Sequence, residues 1–251
     1  MNSSEGGMMR NFFVSTASIL TGLLFVLVLS HMAVAAPTSP LSVSLLNTST
    51  RLLPNSSTSG IGAQGGNVTE LAIDALTITK AWQGYYGNVT GNIHLDDAAN
   101  NSFYVWGNAT GVSGEVYASR NSSPDWSTIN CSNTTQRTLE NTYLGLSLTD
   151  GDSVINTFNA TSHPSFYVGS RQMNANSCFS TNIFVNGTSQ NTSFYQILLA
   201  DETNNTVYTT IIESDAYGYN SRRMDFQLMV GENEHFGSEG PSSYYFFVEL
   251  N

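Results

Sequence analysis

Short runs rich in Tyr, Phe, Val and Ile recur at close intervals along most of the chain, and nearly every run is closed by Gly, Asn, Ser or Thr. That rhythm is too short for a set of packed helices and is what strands joined by tight turns require. The expected strands are Leu71 to Ile78, Asn88 to Leu95, Phe103 to Trp106, Gly114 to Ala118, Trp126 to Cys131, Val154 to Phe158, Phe166 to Val168, Cys178 to Val185, Phe194 to Leu199, Val207 to Ile212, Met224 to Val230 and Tyr244 to Leu250. Only Thr135 to Leu146 reads as a helix. The expected fold class is all-β, a single β-sandwich or jelly-roll-like domain over residues 68–251. Asn186-Gly187 offers a positive-φ pair for a two-residue hairpin, and Asp201 to Asn205 joins two strongly apolar strands. The last apolar run, Tyr244 to Leu250, is too hydrophobic to dangle and is expected to close the core, with no tail left for a second membrane segment or lipid anchor.

Ahead of this domain stand two other segments. Arg10 precedes an apolar run from Phe12 to Leu29, followed by Ala33-Val34-Ala35, the basic, hydrophobic and small-residue order of a secretory signal cleaved after Ala35. An uncleaved membrane anchor through residues 12–29 is the alternative, because the run sits at the lower length limit for crossing a bilayer. A prepilin-type leader fits less well, since the residues around Arg10 lack the acidic residue such leaders carry early in the mature helix. All three place the remainder outside the cell. Residues 36–67 are rich in Ser, Thr, Pro and Gly and read as a flexible linker, within which Leu41-Ser42-Val43-Ser44-Leu45 alternates as an edge-pairing strand would.

Charge narrows the partners. Charged residues make up only 11% of the chain, the formal charge is -11, and Lys80 is the only lysine. Counterion release from phosphates and a polybasic grip on anionic lipid both need basic side chains in number, so nucleic acid and membrane-surface binding are disfavoured. Removing the leader deletes Glu5 and Arg10 together and leaves that balance unchanged. Export also suits the cysteines, since Cys131 and Cys178 are an even pair in a chain bound for an oxidising compartment. Closing a loop of roughly 46 residues would stabilise the fold by up to about 4 kcal/mol in the chain-entropy picture.

In the part expected to be exported, Asn-x-Ser/Thr occurs at Asn47, Asn55, Asn67, Asn88, Asn100, Asn108, Asn121, Asn130, Asn133, Asn159, Asn186, Asn191 and Asn204. The local Ser and Thr content would by chance make acceptors of roughly six asparagines, about half of what is present, so N-glycosylation at several sites is expected. The composition of turns works against that reading, because turns favour the same residues.

Chemistry-bearing motifs are scarce. His94, His163 and His235 have no ligand-spaced partners, no serine sits in a nucleophile elbow, and no glycine-rich loop opens a helix, so neither a cofactor nor a catalytic site is expected. Asp96-Asp97 and Asp150-Gly151-Asp152 offer oxygen ligands for calcium, or a carboxylate pair for a hydrolase, but neither extends to a calcium loop and both read as turns. The best lead is aromatic. Trp82, Tyr85, Tyr86, Trp106 and Trp126 fall in the first half of the domain and could form a face that stacks on sugars, or could fill a core.

The segment Trp82-Gln83-Gly84-Tyr85-Tyr86-Gly87-Asn88-Val89-Thr90-Gly91, with Phe103 to Trp106, Gly114 to Ser119, Asp225-Phe226-Gln227-Leu228 and Tyr244 to Leu250, resembles a group of uncharacterised exported archaeal β-domain proteins. The resemblance covers most of the chain after Leu71 and implies a cell-surface origin similar in character to archaeal surface glycoproteins, with no activity attached. The expectation is therefore an extracellular, non-catalytic glycoprotein serving as a structural or assembly component, whose partners are other surface proteins or further copies of itself. A polysaccharide-binding module or adhesin using the aromatic face is the alternative.

Overall fold

The computed structural model describes residues 36–51, 60–106, 112–233 and 241–251. The expected leader at 1–35, Asn55, Asn108 and His235 lie outside the described residues. Residues Ala36–Asn251 form one compact unit, and among the described residues no helix is long and apolar enough to cross a membrane.

In chain order the elements are β1 (Trp82–Gly87), β2 (Ile93–Asp96), β3 (Ser102–Trp106), β4 (Gly114–Ser119), β5 (Asn130–Cys131), α1 (Thr134–Tyr143), α2 (Val154–Thr157), β6 (Phe166–Val168), β7 (Arg171–Met173) and β8 (Ser180–Asn182), then β9 (Tyr195–Ala200), β10 (Thr206–Ile211), β11 (Ala216–Tyr217), β12 (Arg223–Met224), β13 (Phe226–Gly231) and β14 (Tyr245–Leu250). The protein is β-rich and its strand pairs are antiparallel. The large sheet has six strands in the order β14-β4-β10-β9-β5, with β8 also paired to β9, and no described sheet closes into a barrel.

The large sheet is covered on both faces, and strand alternation decides which residue meets which cover. Ala118, Leu198 and Tyr208 face one cluster, completed by Leu228 and Val230 of β13, Leu144 after α1, and Val154 and Phe158 around α2. Tyr117, Ile197, Leu199, Val207 and Phe247 face the opposite cluster, with Phe166, Val168 and Met173 of the β6–β7 hairpin and Cys178. Burial on both sides explains why β9 reads Tyr-Gln-Ile-Leu-Leu-Ala rather than alternating with polar residues. Gly114 opens β4 at φ +132, and a Cβ there would stand 2.0 Å from the Glu249 carbonyl oxygen, so only glycine lets β4 approach β14 at this point.

The ribbon of β1 and β13 packs over the large sheet through the first cluster. Its β13 edge is closed by an unusual device. The buried Gln196 side chain accepts from Met229 N–H at 2.8 Å and donates to the Met229 carbonyl, standing in for a neighbouring strand.

Several expectations need correction. Val154 to Phe158 is not a strand; the short α2 forms because Ser153 caps it, accepting from Asn156 N–H, and a helical turn brings Val154 and Phe158 to the same core. Trp126 to Cys131 is strand only at Asn130–Cys131. Leu71 to Ile78 lies unpaired, with Ile73 85% exposed, because no described strand runs beside it. Conversely, β1 was hidden by its two glycines, and β13 holds it in place. Thr38, inside the expected linker, already pairs with Val248, while packed core begins at Ala81. The helix expected over Thr135 to Leu146 is observed as α1, where Asn133 and Gln136 form a capping box. The Asn186-Gly187 hairpin turn has both residues at positive φ, at 50° and 71°.

Candidate functional site

The expected disulfide is formed. Cys131, on β5, and Cys178, just before β8, stand 4.8 Å apart at Cα, and they tie together two short strands that both border β9. Cys178 is fully buried, and its N–H donates to His163 Nε2 at 2.9 Å. That leaves His163 Nδ1 to donate to the Pro164 carbonyl, so the ring is a structural bracket, and burial lowers its pKa. His94 is a surface residue 3.8 Å from Asp96.

The carboxylates expected at turns are found working there. Asp97 accepts from Ala99 N–H, Asn101 N–H and Asn101 Nδ2, each at 2.8 Å, and the Asn101 bonds lead in lowering its pKa. Asp150 accepts from Ser147 N–H, while the Asp152 carboxylate takes the Thr79 hydroxyl and its carbonyl takes Trp82 Nε1. Among the described residues no three His, Cys, Asp or Glu side chains gather as a metal site would need.

The five aromatics are not brought to one face. Trp82 packs on Phe158 and Tyr208 at ring distances of 6.0 and 6.2 Å, within the core cluster between ribbon and sheet. Trp126 lies on the opposite side of the sheet, between Tyr117 and Phe247. Tyr85 is half-buried against Phe246 at 5.1 Å, and exposed Tyr86 meets Tyr219 at 5.2 Å. Trp106 stands apart on the β2–β3 hairpin, 53% exposed and edge-to-face with Tyr104 at 5.0 Å.

The acceptor asparagines share one chemical trait. The described acceptor asparagines are Asn47, Asn67, Asn88, Asn100, Asn121, Asn130, Asn133, Asn159, Asn186, Asn191 and Asn204; all are exposed except half-buried Asn121. None of their Nδ2 atoms donates to protein among the described residues. Where these side chains bond at all, the oxygen is used: Asn121 accepts from Ser123 N–H, Asn130 from Cys131 N–H, Asn133 from Gln136 N–H and Asn204 from Gln136 Nε2. Asparagines outside the triplet are mixed: Asn141, Asn176 and Asn220 also use only the oxygen, accepting from Val154, His163 and Arg222 N–H, whereas others spend an amide hydrogen. Asn101, Asn156, Asn205, Asn233 and Asn251 all donate through Nδ2, to Asp97, Asp150, Asp201, Tyr143 and Glu115 respectively. The amide orientations follow from the partners, since a backbone N–H needs an oxygen and a carboxylate needs an N–H. A glycan replaces one Nδ2 hydrogen and leaves the oxygen available, so the acceptor asparagines keep free the atom that would be modified.

Two clusters of buried charge were missed from sequence. Glu140 of α1 is 2% exposed and grips both arms of Arg120, at 2.5 and 2.6 Å, while Tyr208 and Thr206 hydroxyls complete its shell. Burial opposes the Arg120 charge, yet the bonds to Glu140 outweigh it and hold its pKa above the ordinary value. This pair floors a surface recess of about 520 Å³ whose rim carries Asn121, Tyr143 and Asn204. With both guanidinium arms engaged, Arg120 is a brace here and not a free anion receptor.

The second cluster sits where β4 and β14 pair. Glu115 and Glu249 are direct cross-strand partners, both buried. Glu249 accepts from Gly169 N–H at 2.9 Å and from the Tyr117 hydroxyl at 3.2 Å, while Glu115 accepts from Asn251 Nδ2 at 3.3 Å. Burial first, and the neighbouring Glu249 second, push the Glu115 pKa up to about 8. The signal available in sequence was the rarity of Glu inside strand-like runs of a chain this poor in charge.

No family model, no curated protein and no solved structure matches the chain.

Proposed function

We propose that the chain is an exported, glycosylated and non-catalytic component of an outer cell envelope, of archaeal type, which assembles with further copies of itself or with other surface proteins. The observation that carries this reading is that no described acceptor triplet commits its Nδ2 to the fold, whereas five asparagines outside the triplets do. Export through residues 12–29 supplies the compartment in which sugar addition and the Cys131–Cys178 bond are chemically consistent. The architecture is read as a β-sandwich whose second layer, the β1–β13 ribbon, is short of strands.

Intact mass of the protein from its native cells, before and after deglycosylation, tests the reading. Glycans are expected on Asn121, Asn130, Asn133 and Asn204 and absent from Asn101, Asn156 and Asn205, with the mature N-terminus at Ala36. A polypeptide at its sequence mass, or one that stays strictly monomeric at high concentration, would remove it.

A second reading has one observation in its favour. The exposed Tyr104 and Trp106 rings on β2–β3 offer an aromatic platform of the kind that stacks on sugar rings, which suits a polysaccharide-binding module. Polysaccharide binding that is unchanged in Trp106→Ala and Tyr104→Ala would dispose of that platform.

A further inference from the structure

The arm and the ribbon each lack something the other has. After Thr38 the chain is unpaired among the described residues through position 51, presenting Leu41, Val43, Leu45 and Leu46 at 108, 67, 80 and 93% exposure. Leu41, Val43 and Leu45 alternate with serines, so in a strand they would share one face. Thr38 exchanges both backbone bonds with Val248 on the outer edge of β14, at 3.1 and 2.9 Å. Antiparallel continuation would next set position 40 opposite Phe246, and Pro40 has no N–H to give, so pairing ends there and the arm leaves its own sheet.

The ribbon has an unused edge. Ala81 and Gly87 carbonyls accept from the β13 side, so the alternate residues Trp82, Gly84 and Tyr86 turn their backbone groups outward. Among the described residues, the one bond to these outward groups is from the exposed Gln83 side chain to the Gly84 carbonyl. A Cβ on Gly84 would meet nothing within 4 Å. The opposite ribbon edge, on β13, is the one closed by Gln196 from β9. Because β13 lies over β10 and β9 while Tyr85 of β1 touches Phe246 of β14, the free edge of β1 flanks the outer edge of β14. Half-buried Tyr85 and Phe246 lie between the two edges. No acceptor triplet falls after Asn204, so β13 and β14 are free of them, and Asn88 lies one residue beyond β1.

We infer that residues 41–46 of one copy add as a strand to the free edge of β1 in a second copy, placing Leu41, Val43 and Leu45 over Tyr85 and Phe246. Main-chain hydrogen bonds to Trp82, Gly84 and Tyr86 supply the affinity, and the alternating apolar side chains fix the register. This deepens the assembly reading above and rests on it. The second copy is favoured as occupant because it carries a matching strand that its own fold leaves unpaired.

The full-length mature chain is tested by mixing a Val43→Cys variant with a Gly84→Cys variant, the native disulfide left closed, and oxidising mildly. A cross-linked pair of chains should form at least about tenfold faster than from Val43→Cys mixed with Glu202→Cys, an exposed site on the β9–β10 turn, because a docked strand raises the local thiol concentration. In parallel, V43D/L45D should weaken self-association by more than about tenfold while leaving the unfolding midpoint unchanged. Equal cross-linking rates, or undiminished assembly of V43D/L45D, would overturn the strand-donation mechanism and leave envelope assembly by another surface standing. A wild-type chain that never associates would overturn both.

Discussion

The large sheet and the arm that precedes it use the same residue types to opposite ends. In β9 and β10, Ile197, Leu198, Leu199 and Val207 are buried on two faces, whereas Leu41, Ile61, Leu71 and Ile73 in the arm are exposed. Neither hydrophobicity nor alternation separates the two regions. What separates them is a strand alongside to take the backbone hydrogen bonds and a second layer to take the side chains, because an apolar run gains little from water exclusion unless something covers it. The β2–β3 hairpin lies between these extremes: it is paired, yet every residue in both strands is exposed.

The contrast can be broken most forcefully at Glu140. Replacing it with Ala strands Arg120, Tyr208 and Thr206 without their common acceptor, and should cost about 3–5 kcal/mol in denaturant unfolding. A cost below about 1 kcal/mol would mean that the network is not what holds α1 to the sheet.

The Glu115 and Glu249 pair makes a pH prediction of a few kcal/mol at most. The folded state holds a proton on Glu115 up to about pH 8, whereas the unfolded chain releases it near 4.5. Stability from this site is therefore full below about pH 4.5 and falls as the pH rises through 8. Glu115→Gln should flatten that decline, read from thermal midpoints between pH 4 and 9.

Opening Cys131–Cys178 by Ser substitution should remove about 2–4 kcal/mol, because the bridge closes a long loop within the folded region. A smaller effect belongs to the cap of α1. Asn133→Ala should cost about 1 kcal/mol by removing the Gln136 N–H acceptor, while Thr135→Ala destroys the same acceptor triplet and spares that bond. Equal losses in the two variants would assign the stability to the sugar instead of the cap. At the small end, Ile73→Ser in the arm should change unfolding free energy by less than about 0.5 kcal/mol. A loss comparable to a core substitution would show that the arm packs in the isolated chain and would erase the contrast between the regions.

Local chemistry made some features legible in advance. The Asn186-Gly187 turn, the caps of α1 and most strands of the large sheet carry their cause in a few adjacent residues. Strand expectations failed where a local pattern met no partner, at Leu71 to Ile78, or where a cap redirected the backbone, at Ser153. The aromatic lead dispersed for a related reason. Trp82 and Trp126 both fall in the first half of the domain, but the sheet runs between their two clusters.

The sequence by itself determined the β-rich class, the single pairing open to two cysteines, the low-charge polar surface and the positions of the acceptor triplets, since each follows from residue identity or from neighbours a few positions away. Only the tertiary structure decided which apolar runs are covered, which asparagines spend their amide hydrogens on the fold, that Glu115 faces Glu249, and that β1 keeps an open edge. Those outcomes depend on contacts between residues far apart in the chain, and such contacts are set by how strands order themselves across a sheet.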